Sequence, residues 1–250
     1  MKKGSEAIFT DLKKFLDEVF GFGEEVADNA LTAPKKRVKD KNAARARRLA
    51  ARSGLISKEL KTLLRDSDFK EIYWDLSNGK VKRAFGNLLK YEEEAVLKFY
   101  TTNAGYKNFN KALRGEIKIT EFYKTQEKMM NEALEKLPIY ESENLLYRIE
   151  NLTDAQINEY YKVGKDIENK HFTSTSYSAD AIAESMKKRP YSVLIRIESK
   201  NGRLIESLSI KREEKEIIFS SKTKFYVKEI TNTNNPLDYS EIKTIKLIEK

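Results

Sequence analysis

The chain has 250 residues, 40% of them hydrophobic and 35% charged, enough for one sizeable core beneath a heavily solvated surface. There is no cysteine, which excludes disulfides, thiol chemistry and cysteine-ligated metals; the single histidine, His171, argues against a histidine-rich metal site or a Ser-His-Asp triad with a spare. The net charge of +9 is concentrated in residues 35–52, where nine basic side chains face one acid, Asp40, and the rest of the chain is nearly neutral.

Residues 5–30 place Phe9, Leu12, Phe15, Leu16, Val19 and Phe20 at helical spacing, which predicts an amphipathic helix and not a signal peptide. The stretch "APKK" at 33–36 breaks it. The basic segment that follows suits contact with nucleic acid or an anionic membrane, or equally a solvated linker, since no aromatic residue interleaves its charges. With "SG" at 53–54 as a boundary signal, the expected organisation is a basic, helical segment over 1–65 and a folded domain over 66–250. No apolar run in the chain reaches the roughly 18 residues needed to span a bilayer.

From 55 to 136 the texture is helical. "YEEEAVLKFYTT" and "NFNKALRG" read as helices, the second stopped by Gly115. "TEFYKTQEKMMNEALEKLP" is another, with Thr120 as its cap and Pro138 beyond its end. Past 140 the pattern changes. "NLLYRIEN" is strand-like, Asp154–Val163 helical, "KHFTSTSYS" β-rich and "SADAIAESMKK" helical. "YSVLIRIES", "GRLIESLS", "KEIIFSS", "KFYVKEIT" and "SEIKTIKLIE" follow as strands. Helices first and strands later predict an α+β fold: N-terminal helices, then two packed, mostly antiparallel sheets.

Three pieces of the second half stand out: Arg148 inside "LLYRIE", the Ser/Thr run Phe172–Ser176, and "EKEIIF" from Glu214 to Phe219. On a strand, Glu214 and Glu216 point the same way, and so do Ser174 and Ser176. In this order the pieces resemble the signature of mono-ADP-ribosyltransferases of the bacterial exotoxin type: an aromatic-Arg strand, an S-T-S strand and an E-x-E strand. Residues 90–115, "KYEEEAVLKFYTTNAGYKNFNKALRG", are similar to that family's helical segment. The likeness covers roughly residues 70–250, and it implies a split β-sandwich around a NAD cleft. The clostridial Rho-modifying exoenzymes and the enzymatic halves of binary actin-modifying toxins are among the relatives it suggests.

The resemblance implies transfer of ADP-ribose from NAD to a protein, with release of nicotinamide. Glu216 would stabilise the positive charge that develops on the ribose, Ser174 would hold Glu216 or the ribose, and Thr175 would support the strand from its other side. Arg148 would grip the pyrophosphate through a charge-assisted fork. Ser176, Tyr106, Asn110, Arg114, Phe172 and Lys188 join as cofactor contacts; His171 touches the adenosine side or is simply an exposed strand residue. Glu214 would orient the acceptor, and glutamate there implies arginine. The same residues would serve a NAD glycohydrolase, and the basic segment leaves nucleic acid open as an acceptor.

Two departures bear on the target. Lys211 and Arg212 occupy a loop where actin-modifying relatives carry an aromatic, and Met186 stands where relatives stack a phenylalanine on nicotinamide. The implied partners are a target protein with a reactive arginine and an immunity protein; the implied state is a monomeric toxin or effector, secreted or delivered without an N-terminal signal peptide. No metal is implied.

Overall fold

A computed structural model describes residues 57–142, 145–235 and 240–250. The helix predicted over 5–30 and the basic segment 35–52 lie outside the described residues. The compact unit that is described runs from Lys58 to Lys250.

It opens with α1 (Lys58–Leu63) and α2 (Ser67–Ser77), the latter capped by Asp66, whose carboxylate accepts from the Asp68 and Phe69 amides at 3.0 Å. α3 (Tyr91–Tyr100), α4 (Asn103–Arg114) and α5 (Glu121–Glu135) follow. Thr120 caps α5 and Gly115 ends α4 in the left-handed conformation at φ +84°, both at the positions anticipated. α4 packs backbone-to-backbone on the end of α3 at Gly105, where a Cβ would sit 1.9 Å from the Phe99 carbonyl oxygen. Phe69, Phe99 and Phe109 fill the helical core. Glu94, fully buried, is held by Arg83 at 3.0 Å and by the Ala84 amide at 2.6 Å.

The strands are β1 (Leu146–Glu150), β2 (Asp166–Asn169), β3 (Thr173–Ser176), β4 (Val193–Glu198), β5 (Arg203–Leu204), β6 (Glu216–Phe219), β7 (Thr223–Asn234) and β8 (Glu241–Glu249). α6 (Asp154–Tyr160) and α7 (Ala179–Lys188) lie between them in sequence. The sheet order is β2-β7-β8-β4-β1-β3-β6-β5, antiparallel except for the β4–β8 pair. β1 meets β3 through a single register pair, Tyr147 with Ser176, so the sheet has two halves that part along that seam. This is the split architecture that the resemblance implies, here as two halves of one sheet joined at one register pair. Ile195, Ile197, Phe219, Phe225, Val227 and Leu247 make up much of its apolar core.

The strand predicted over "GRLIESLS" is shorter than its texture implied. Only Arg203–Leu204 pair with β6, because the chain turns at once, Leu208 donating back to the Ile205 carbonyl at 2.8 Å. The residues from Ser207 to Lys215 therefore form a loop at the parted edge of β6.

Candidate active site

The seam between the sheet halves brings the distant anchors together. Arg148 on β1 donates through Nη1 to the Ser174 carbonyl at 3.1 Å, and its Nε pairs with Glu150 two residues along the same strand. Ser174 on β3 donates its hydroxyl to Glu216 Oε1 at 2.6 Å. Glu216 opens β6 opposite Ser176, so the Ser174–Glu216 bond runs diagonally across the β3–β6 pair. All three side chains line one cleft of about 480 Å³, a size suited to a small-molecule ligand.

α4 forms a wall of that cleft, with Tyr106, Asn110 and Arg114 at helical spacing along it. Tyr106 is 40% exposed at the mouth. Asn110 donates to the Tyr100 hydroxyl at 3.1 Å, while its Oδ1 is buried without a hydrogen-bond partner. A buried acceptor left open in a cleft calls for a donor from a ligand. His171, Ser176 and Lys188 also line the cleft. Thr175 bonds its hydroxyl to the Ile217 carbonyl at 2.9 Å, tying β3 to β6.

The electrostatics are set by burial. Glu216 is 7% exposed, and burial pushes its carboxyl up to about 7. The Ser174 and Ser209 hydrogen bonds and the Lys211 charge pull it down, and the nearby Glu214 pushes it further up. His171 is held down at about 4, by burial first and then by Arg148 and Arg114, so it is neutral at pH 7. Burial raises the Glu150 carboxyl too, but its Arg148 partner outweighs that and leaves it below its ordinary value.

Three sequence-based expectations are corrected here. Glu214 does not share a strand face with Glu216: it ends a 3-10 turn, Arg212–Glu214, and Lys215 follows in the left-handed region at φ +51°. That reversal breaks the alternation, so Glu214 reaches the cleft wall from the loop, exposed and paired with Lys211 at 3.1 Å. Phe172 is fully buried against Tyr100 and Phe109, with ring centroids 5.7 Å from each, and belongs to the core beneath β3. Met186 lies on α7 with its side chain in the core, not in a loop where it could cover nicotinamide. Tyr100 and Ser209 escaped the sequence reading. Both line the cleft, but Tyr100 reads as one more apolar position of α3 and Ser209 as part of a strand that does not form.

An open mixed sheet parted over a cleft that gathers Arg148, Ser174 and Glu216 defines a fold shared with bacterial ADP-ribosyltransferases of known structure. Exoenzyme S of Pseudomonas aeruginosa, solved with human 14-3-3 protein beta and carba-NAD, superposes with a TM-score of 0.58 at 20% identity, over 76% of this chain and 86% of that one. Vis of Vibrio splendidus, solved with agmatine, gives 0.52 at 22% identity, over 78% of this chain and 86% of that one. The sequence is more specific: the chain belongs to the NAD:arginine ADP-ribosyltransferase family, whose profile it matches over residues 25–244. It is 34% identical over 163 residues to Mav of Mycobacterium avium, assigned as an NAD(+)–arginine ADP-ribosyltransferase, covering 65% of this chain and 18% of Mav. It is 31% identical over 142 residues to Tre1 of Serratia proteamaculans, an NAD(+)–protein-arginine ADP-ribosyltransferase, covering 56% of this chain and 29% of Tre1. The chain thus spans less than a third of either curated relative. NAD is the family's substrate, and the cleft offers it a guanidinium, Arg148, and an open buried acceptor, Asn110 Oδ1.

Proposed function

We propose that this protein transfers ADP-ribose from NAD to an arginine side chain of a target protein, releasing nicotinamide. The observation that carries this reading is the buried Glu216 carboxylate, fixed by Ser174 at 2.6 Å, in a cleft that also presents Arg148 and a second carboxylate, Glu214.

In the proposed reaction Arg148 holds the pyrophosphate and Asn110 offers its open acceptor to NAD. The bond between the ribose anomeric carbon and the nicotinamide nitrogen breaks, and nicotinamide leaves neutral with the electron pair. Positive charge then rests on the ribose. The buried Glu216 carboxylate faces it, and a fixed charge there is far more effective than in bulk solvent. A guanidinium nitrogen of the acceptor forms the new bond to that carbon. Glu214 orients the guanidinium and takes the proton it must lose, since the protonated group is a poor nucleophile. Being exposed on a loop, Glu214 can pass that proton to solvent.

The catalytic domain in this reading is 66–250, with 1–65 as an N-terminal segment. The protein acts as a monomeric toxin or effector, secreted or delivered into a target cell, and the producing cell holds an immunity protein. Solved neighbours that include the Vis toxin and the type III effector XopAI support the toxin or effector part of this reading. Incubation with labelled NAD and agmatine, beside a Glu216→Ala variant, tests the chemistry. Label on agmatine from the unaltered protein alone is expected. Free ADP-ribose with no labelled agmatine would favour hydrolysis, and no NAD turnover would sink the proposal.

A further inference from the structure

The loop between β5 and β6 is rich in charge, and most of that charge is tied within the loop. Arg212 donates to the Ser207 carbonyl at 3.4 Å, and Lys215 pairs with Glu206 at 2.7 Å. The tie that matters for the site is Lys211–Glu214, at 3.1 Å, because both side chains line the cleft. The backbone beneath Lys211 is anchored. Ile210 donates to Thr101 Oγ1 at 3.3 Å, and the Lys211 amide donates to Ser209 Oγ at 3.1 Å. The Lys211 side chain above it is about half exposed.

An intramolecular cation therefore already occupies the carboxylate that an acceptor guanidinium would need. When the guanidinium takes Glu214, Lys211 is displaced beside it, at a mouth that already carries Lys107, Lys111 and Lys188. Two cations side by side disfavour the exchange. A carboxylate on the acceptor, next to its arginine, removes the conflict: one ion pair is exchanged for two. We propose that Lys211 is a specificity-determining residue that selects arginines flanked by an acidic residue, so that the target protein presents its modified arginine on an acidic surface. This rests on the reading that Glu214 receives the acceptor.

The test uses three peptides differing only in an Asp, an Asn or a Lys beside a single arginine, with agmatine as the small acceptor. The unaltered protein should favour the Asp peptide about two- to fivefold in kcat/KM, the range of an exposed ion pair, and added salt should shrink the preference. Lys211→Met should bring the ratio to about one, and Lys211→Glu should reverse it in favour of a Lys-flanked peptide. Equal use of the Asp and Asn peptides by the unaltered protein would overturn the proposal, as would an Asp preference that survives in Lys211→Met. Labelling of agmatine by each variant shows that it is folded and competent. If the unaltered protein turns over NAD but never labels agmatine, the acceptor reading beneath this one fails too, and the two failures are told apart.

Discussion

The turn that ends at Glu214 and the strand that begins at Glu216 are adjacent in sequence and opposite in physics. Glu216 is locked into a ladder with β3, 7% exposed, bonded to Ser174, and raised to about 7 by burial. Glu214 is exposed, on a 3-10 turn, and paired with a lysine of its own loop. One residue, Lys215 in a left-handed conformation, separates the two environments. The comparison teaches that the two carboxylates are suited to different work because of where they sit. A buried, immobile charge stabilises a cation that forms in place. An exposed charge on a loop can meet an acceptor and release a proton to water.

The largest effect that sharpens this contrast belongs to Glu216. Glu216→Gln keeps the size and a hydrogen bond to Ser174 but removes the charge. Transfer and NAD hydrolysis should both fall by about 10²–10³ in kcat, the usual cost of losing a preorganised electrostatic stabiliser. In the unaltered protein kcat/KM for NAD should rise as pH passes about 7, because the free carboxyl must ionise to act. A profile flat from pH 5 to 8 would show that the carboxyl is ionised throughout.

The same substitution should stabilise the fold, and the effect should depend on pH. A carboxyl raised from 4.5 to about 7 favours its protonated form in the folded state. Below about pH 4 it is neutral in both folded and unfolded chains and nothing is lost. The penalty builds between 4.5 and 7 and is complete above. Glutamine is neutral at every pH, so Glu216→Gln should be more stable than the unaltered protein at pH 8, by on the order of 3 kcal/mol, and equal to it near pH 4. Denaturant melts at the two pH values read this directly. A variant less stable at pH 8 would mean that the buried charge is compensated better than its surroundings indicate.

Glu214→Gln should behave in the opposite way. Transfer to agmatine should fall about a hundredfold, the scale of a lost general base, with NAD hydrolysis largely kept. Its stability should stay within about 0.5 kcal/mol at pH 4 and pH 8 alike, as for most exposed substitutions. If hydrolysis collapsed together with transfer, the two carboxylates would be acting as a unit and the division of labour drawn here would be wrong.

How much of this was legible in the sequence follows the same divide. Arg148, Ser174 and Glu216 stood out through their order and its resemblance to the family signature, and the structure brings all three to one cleft. The helix signals also worked where they were local: Thr120 as a cap, Gly115 as a stop. What failed depended on conformations that residue type does not announce. Lysine gives no warning of a left-handed φ, so the E-x-E run was read as continuous strand. Phe172 was counted as a contact because it opens the FTSTS run, yet its side chain lies in the core while His171 and Ser174 line the cleft. The single Tyr147–Ser176 pair that joins the two half-sheets is a long-range choice that no local pattern records.

The smallest predicted effect probes how the loop is held. Thr101 follows α3, and its hydroxyl accepts from the Ile210 amide at 3.3 Å while donating to the Lys98 carbonyl at 2.8 Å. Thr101→Val keeps the shape and removes the acceptor that fixes the loop just ahead of Lys211 and Glu214. A hydrogen bond of this kind contributes about 1 kcal/mol net, so the KM for agmatine should rise about fivefold. The KM for NAD should change less, because Arg148, Ser174 and Glu216 are held by the sheet and not by the loop. The two constants, measured separately on one preparation, decide the matter. Equal rises would mean that the loop and the sheet are mechanically one element. A rise for agmatine alone would mean that acceptor recognition can drift, from one relative to another, without disturbing the chemistry anchored two residues away.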